Sequence, residues 1–117
     1  ATPLIPLRDD VVLMPLIGTI DRERAQQVRT TLLEGIKAHR ATTAILDITG
    51  VRSIDLQVAQ ALVQAARGAR LLGAQVILTG IQPPIARALV ELGTDLRGIV
   101  THSSLPAGIA DALRAQH

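Results

Sequence analysis

Short apolar runs and longer amphipathic stretches alternate along this chain, and the alternation predicts its elements one after another. Leu4 to Arg8 and Val11 to Leu16 are apolar runs parted by Asp9-Asp10, a polar pair suited to a tight turn. They read as a hairpin whose first strand is pushed to the sheet edge by Pro6. Gly18-Thr19-Ile20-Asp21 then breaks the pattern, and Asp21 serves as a helix N-cap because its carboxylate accepts backbone N–H bonds. Beyond it, Ala25, Val28, Leu32 and Ile36 recur at helical spacing among polar neighbours, as in a helix lying on one face of a sheet. Thr43 to Ile48 is nearly continuous in apolar residues, the pattern of a strand covered on both faces. A second helix starts near Asp55, with Val58, Ala61, Leu62, Ala65, Ala69 and Leu72 inward and Gly73 at its end. Gln75 to Thr79 predicts another buried strand, and Gly80 a turn. Pro83-Pro84 open a third helix with Ile85, Ala88, Leu89 and Leu92 on its inner face, closed by Gly93. Ile99-Val100-Thr101 make a last short strand. Ser104 caps a final helix with Pro106 in its first turn and Leu105, Ile109 and Leu113 inward.

The predicted order is β-β-α-β-α-β-α-β-α. Strands alternating with helices require crossover connections, so the fold class is α/β: a mostly parallel central sheet, an antiparallel N-terminal edge strand and about four helices. No repeat and no long linker divides residues 1–117, which read as a single domain.

Composition narrows the class. The chain is 48% hydrophobic and 19% charged, which excludes disorder. It contains no Phe, Tyr, Trp or Cys, so the core is aliphatic and there is no disulfide or thiolate chemistry. That suits a reducing, cytoplasmic setting. The longest apolar run falls far short of the ~20 residues of a membrane span, and no signal-peptide pattern opens the chain. Net charge is +2, with Lys37 the sole lysine. The arginines (among them Arg22, Arg29, Arg67 and Arg87) are spread along the helices with no basic block or aromatic platform, so no nucleic-acid partner is expected. The first residue is Ala and a strand follows at once, which reads as the C-terminal part of a longer protein.

Residues able to carry chemistry are sparse. Gly18, Gly50, Gly73, Gly80 and Gly93 follow strands or end helices and form neither a GxGxxG nor a P-loop; they are read as left-handed turn residues. His39, His102 and His117 lack metal-ligand spacing, so no metal and no cofactor is expected. Ser103 and Ser104 lack a nucleophile elbow. No nucleophile, base and oxyanion group share a plausible site, and the chain does not read as an enzyme. Asp47 sits near the C-terminal end of a central strand, the edge where ligands collect in open α/β sheets, and Asp55 precedes the second helix as its cap. The loop from Thr49 to Gln57 is expected to be exposed and to present the helix start to a partner. A phosphate there would meet the helix dipole favourably, although Asp47 and Asp55 would oppose it.

At this segment the chain resembles the STAS domains, the family of anti-sigma-factor antagonists and sulfate-transporter tails, and within it the C-terminal domains of R-type stressosome scaffold proteins. The likeness is carried by Thr2-Pro3-Leu4-Ile5-Pro6, Val12 to Gly18 with Asp21, Leu46-Asp47-Ile48-Thr49-Gly50-Val51, Asp55, Arg70 to Ala74, and Leu78-Thr79-Gly80-Ile81 with Pro83 and Ile85-Ala86. The resemblance implies the fold derived above and a non-enzymatic role in bacterial stress signalling and sigma-factor regulation. It implies docking to a serine/threonine kinase of the histidine-kinase-like ATPase fold, and stacking with other STAS proteins in a large cytoplasmic complex. It also implies an upstream sensor domain and a homo-oligomeric full-length protein.

Two positions depart from the family. A Ser or Thr commonly follows the aspartate at position 55, and here it is Leu56, which cannot take phosphate. A second phosphoacceptor on the third helix aligns with Ala88. Ser53 and Thr49 are nearby hydroxyls and alternative phosphoacceptors, although a loop or backbone-bonding role explains both. The expected partner surface is Thr49, Ser53, Asp55, Leu56 and Gln57. The alternative is a regulatory domain that binds a nucleotide or an anion at the free N–H groups of the helices starting near Asp55 and Pro83.

Overall fold

The computed structural model describes residues 3–93, 96 and 98–114. Strands β1 (Ile5–Arg8) and β2 (Val11–Ile17) form the predicted hairpin, followed by α1 (Arg22–His39), β3 (Thr43–Gly50), α2 (Leu56–Leu71), β4 (Gln75–Thr79), α3 (Pro83–Leu92), β5 (Ile99–His102) and α4 (Leu105–Arg114). The strands form one five-stranded sheet in the order β1-β2-β3-β4-β5. β1 pairs antiparallel with β2, and the other three pairs are parallel.

That strand order places the helices. Each crossover from β2 to β5 steps to the next neighbour in the same direction. With right-handed connections, α1, α2 and α3 therefore share one face of the sheet. α4 takes the other. Strand alternation splits the core accordingly. Val12, Met14, Leu16, Ala44, Leu46 and Ile48 join the three-helix side, while Val11, Leu13, Ile45 and Ile77 join Ala112 of α4. α4 lies over β3, β4 and β5. Beneath α2 and α3 a void of about 30 Å³, lined by Leu46, Leu62, Val76, Leu89 and other apolar groups, has room for little more than a water.

Two inward faces differ from the sequence pattern. Leu72 is 51% exposed, because it is the C-cap of α2 and lies beyond the sheet that the rest of the helix covers. In α4 the buried residues are Gly108 and Ala112, with Leu105, Ile109 and Leu113 only partly buried around them. A side chain at position 108 would stand 2.3 Å from Thr79 Cγ2, so the small residue lets the helix backbone approach the strand. Gly50 also departs from its expected role: it ends β3, whereas the other four glycines have positive φ.

Candidate functional site

The loops that leave β2 and β3 lie side by side at one end of the sheet and are tied to each other. The Gly18 N–H donates to Gly50 O at 3.0 Å. From α1, Arg24 Nη1 donates to Ile17 O and, at 3.0 Å, to Thr19 O. The β3–α2 loop is fixed from below: Val51 is fully buried and Ile54 packs partly buried against the core. With those two anchors turned in, Arg52, Ser53, Asp55, Leu56 and Gln57 are left facing outward. Asp55 is extended at φ −80°, and its carboxylate accepts the Val58 N–H at 2.7 Å, so it caps α2. Leu56, the first helical residue, is 44% exposed. An apolar side chain therefore stands at the helix tip, over a capped terminus, on a loop with fixed ends.

The expected residues do not all share this surface. Asp47 is only 8% exposed and takes two hydroxyl donors on the same oxygen, Thr49 Oγ1 at 2.8 Å and Thr79 Oγ1 at 2.7 Å. It is a buried bracing group between β3 and β4. Thr49 is exposed, yet its hydroxyl is committed to Asp47, and a phosphate there would sit against that carboxylate. Ser53 is exposed and makes no hydrogen bond to another described residue, so its hydroxyl is the accessible one. Ala88 does not match a surface phosphoacceptor position. It is 8% exposed on the inner face of α3, and a hydroxyl there would point into the core; Val90 of that helix, by contrast, is 79% exposed.

Ile17, outside the expected partner surface, is 69% exposed and stands beside Gly50. The signal available was its position between a buried strand and a glycine. An open groove of about 540 Å³, lined by Thr49, Gly50, Arg52, Gln82 and Pro84, runs beside this face. A smaller one of about 210 Å³ lies between Thr19 and Ser53.

The expected anion sites are partly engaged by the chain itself. At α3, Pro83 and Pro84 have no N–H, and the N–H groups of Ile85 and Ala86 both donate to Gln82 O at 3.0 Å. At α2, the Asp55 carboxylate already occupies the positive end of the helix. The parallel strands also run in simple sequential order, so the sheet has no reversal point of the kind that opens a nucleotide crevice.

The remaining polar groups are structural. Ser104 Oγ accepts the Ala107 N–H at 3.3 Å as the α4 cap, and His102 Nε2 lies 2.9 Å from Asp111 Oδ2, tying β5 to α4. His39 is exposed at the end of α1, and Thr2 and His117 lie outside the described residues. Among the described residues no three His, Asp or Glu side chains cluster to hold a metal ion. No helix among them is long and apolar enough to cross a membrane.

Comparison with known proteins agrees with this geometry. The family model described as "STAS domain" matches residues 2–104. The chain is 44% identical over 113 residues to the RsbT co-antagonist protein RsbRA of Bacillus subtilis (strain 168), covering 97% of this chain and 41% of that protein. It thus spans about two fifths of the length of that curated relative. Among solved structures, a serine-to-glutamate variant of RsbS from Moorella thermoacetica superposes with a TM-score of 0.83 at 30% identity, over 98% of this chain and 97% of that one. A chain from a structure titled "Molecular architecture of the stressosome, a signal integration and transduction hub" gives a TM-score of 0.82 at 30% identity, over 98% of this chain and 99% of that one. The chain therefore belongs to the STAS domain family and is similar to that family's stressosome members.

Proposed function

We propose that this domain is a non-enzymatic docking module of a cytoplasmic stressosome scaffold. Through the Ser53–Gln57 loop it binds a serine/threonine kinase of the histidine-kinase-like ATPase fold, and it assembles with partner STAS domains. Leu56 takes the place of the phosphoacceptor, so this face docks partners without being switched at that position. The observation that carries the reading is Leu56 itself: 44% exposed, directly after a capping aspartate whose side chain is already engaged, on a loop anchored by Val51 and Ile54. A large apolar side chain kept in solvent at a rigid helix tip is suited to insertion into a partner. The relative in Bacillus subtilis is named a co-antagonist of RsbT, which supports an interaction role for the matching part of this chain.

The test is calorimetric titration of the domain with a serine/threonine kinase of the histidine-kinase-like ATPase fold. Leu56→Asp is expected to weaken binding by tenfold or more. Its unfolding free energy should stay within about 1 kcal/mol of the parent, the size of a carboxylate's interaction with a helix N-terminus. Unchanged affinity in this variant would remove Leu56 from the docking face. Incubation with kinase and ATP should leave the intact mass of the parent unchanged, while Leu56→Ser gains one phosphate. A phosphate on the parent chain would return the switch to Ser53 or Thr49.

A further inference from the structure

Beside the docking loop, the open groove of about 540 Å³ between the end of β3 and the start of α3 has walls that are fixed to each other. Gln82 Nε2 donates to Thr49 O at 3.2 Å, which ties the entry of α3 to the rim of β3. Gly80, at φ +74°, lets the β4–α3 turn lie against Thr49. Pro84 is exposed and gives the α3 wall a rigid apolar side. Among the described residues that line the groove, Arg52 alone is charged. Its side chain is exposed and has no ion-pair or hydrogen-bond partner among the described residues. Arg87 follows Pro84 by one turn of α3 and is likewise exposed and unpaired among them; Glu91, a turn further on, reverses the sign. The carboxylates at this end of the sheet are engaged by the chain itself. Asp21 accepts the Arg24 N–H at 2.8 Å, Asp47 two threonine hydroxyls and Asp55 the Val58 N–H.

We infer that this groove receives an acidic segment of the docked kinase, with a carboxylate on Arg52 and an apolar neighbour against Pro84, and that Arg52 determines which partner the face accepts. The inference rests on the docking reading and names the chemistry of the partner at that site. Arg52 and Leu56 belong to one loop, anchored by Val51 and Ile54, so a partner seated on Leu56 also meets the groove. A guanidinium presents a planar fork of N–H donors that matches a carboxylate, which a lysine does not. At an open rim such a pair adds little affinity. It acts on the rate of encounter and on the choice of partner, while Leu56 holds the complex. A small free anion finds less here, because α3 opens with two prolines and no second cation lines the groove among the described residues.

Binding kinetics of the domain with the same kinase, in about 0.1 M and about 1 M salt, test this, since the screening length falls from roughly 10 Å to roughly 3 Å between them. Arg52→Glu is expected to slow association by about tenfold or more in the lower salt and to come within about threefold of the parent in the higher. Leu56→Ala removes the apolar anchor without adding charge, so it should quicken dissociation in both. Arg29→Glu, on the exposed side of α1, should bind like the parent. All three alter exposed side chains and should keep the parent's far-ultraviolet circular dichroism. A lysine in place of one exposed Asp or Glu of the kinase should restore the association of Arg52→Glu. If Arg52→Glu associates like the parent while Leu56→Ala dissociates faster, the groove contact is rejected and the docking reading stands. An equal loss in Arg29→Glu would reduce the effect to net charge, and a loss that salt does not relieve would reduce it to loop structure; either overturns the contact. Arg52→Glu that keeps the kinase but loses a second STAS domain would give the groove to that partner and overturn it as well. A parent that does not bind the kinase overturns the docking reading and this inference with it.

Discussion

Asp47 gathers two threonine hydroxyls onto one oxygen, and the two donors differ in what surrounds them. Thr79 is fully buried and Thr49 is exposed at the rim. Thr79→Val would leave a buried carboxylate short of a donor. A hydrogen bond to a charged group contributes about 1.5–3 kcal/mol, and losing it where water cannot substitute carries that full cost. Urea unfolding of Thr79→Val should show a loss of that size with the slope unchanged, and Thr49→Val less than half of it. Equal losses would mean that the rim bond from Thr49 holds the carboxylate as firmly as the buried one from Thr79. This bridge spans 32 positions of sequence, and no local pattern announces it. Asp47 was legible as a carboxylate near a strand end, but its direction was not, because pairing across strands decides which face a side chain takes. Asp55 was legible in both identity and role, since a capping residue acts on its own helix a few positions on.

At the scale of elements, the helices and strands could be read from hydrophobic period because each buries a single stripe or a whole strand. The errors lie where an element outruns what it packs on. Leu72 keeps the spacing of the inner face of α2 but projects past the end of the sheet. In α4 the large apolar residues drew attention, although the closest approach belongs to Gly108. Small residues leave no hydrophobic signal, so close packing of this kind is hidden in a sequence. It can be checked by substitution. Gly→Ala within a helix ordinarily gains about 1 kcal/mol. Here the new methyl would meet Thr79, so Gly108→Ala is expected to lower stability by about 1–3 kcal/mol through overpacking. Hydrogen exchange should accelerate in α4 and β5 while α1 stays protected. A stabilised variant would mean that α4 is not seated as described.

For the whole molecule, topology weighs against the small-ligand alternative as much as any residue does. Sequential parallel strands with three helices on one face leave no crevice between diverging crossovers. The α3 terminus begins with two prolines, and the α2 terminus is closed by its own aspartate. Titration with GTP, ATP or inorganic phosphate is therefore expected to give no saturable heat at micromolar concentrations, and such a heat would reopen that reading. Fold class, element order and the antiparallel N-terminal edge strand were legible in the sequence, because they follow from alternation and caps. The exposure of Ile17 and Leu72 was not, because exposure depends on where neighbouring elements stop.

An interior with no aromatic side chain also makes the domain optically dark. Without an indole or phenol ring it contributes almost nothing to near-ultraviolet absorbance or emission, so in a mixture those signals come from the partner. A tryptophan introduced at Leu56 would shine against a blank background, and its change in colour would report whether that face had been covered.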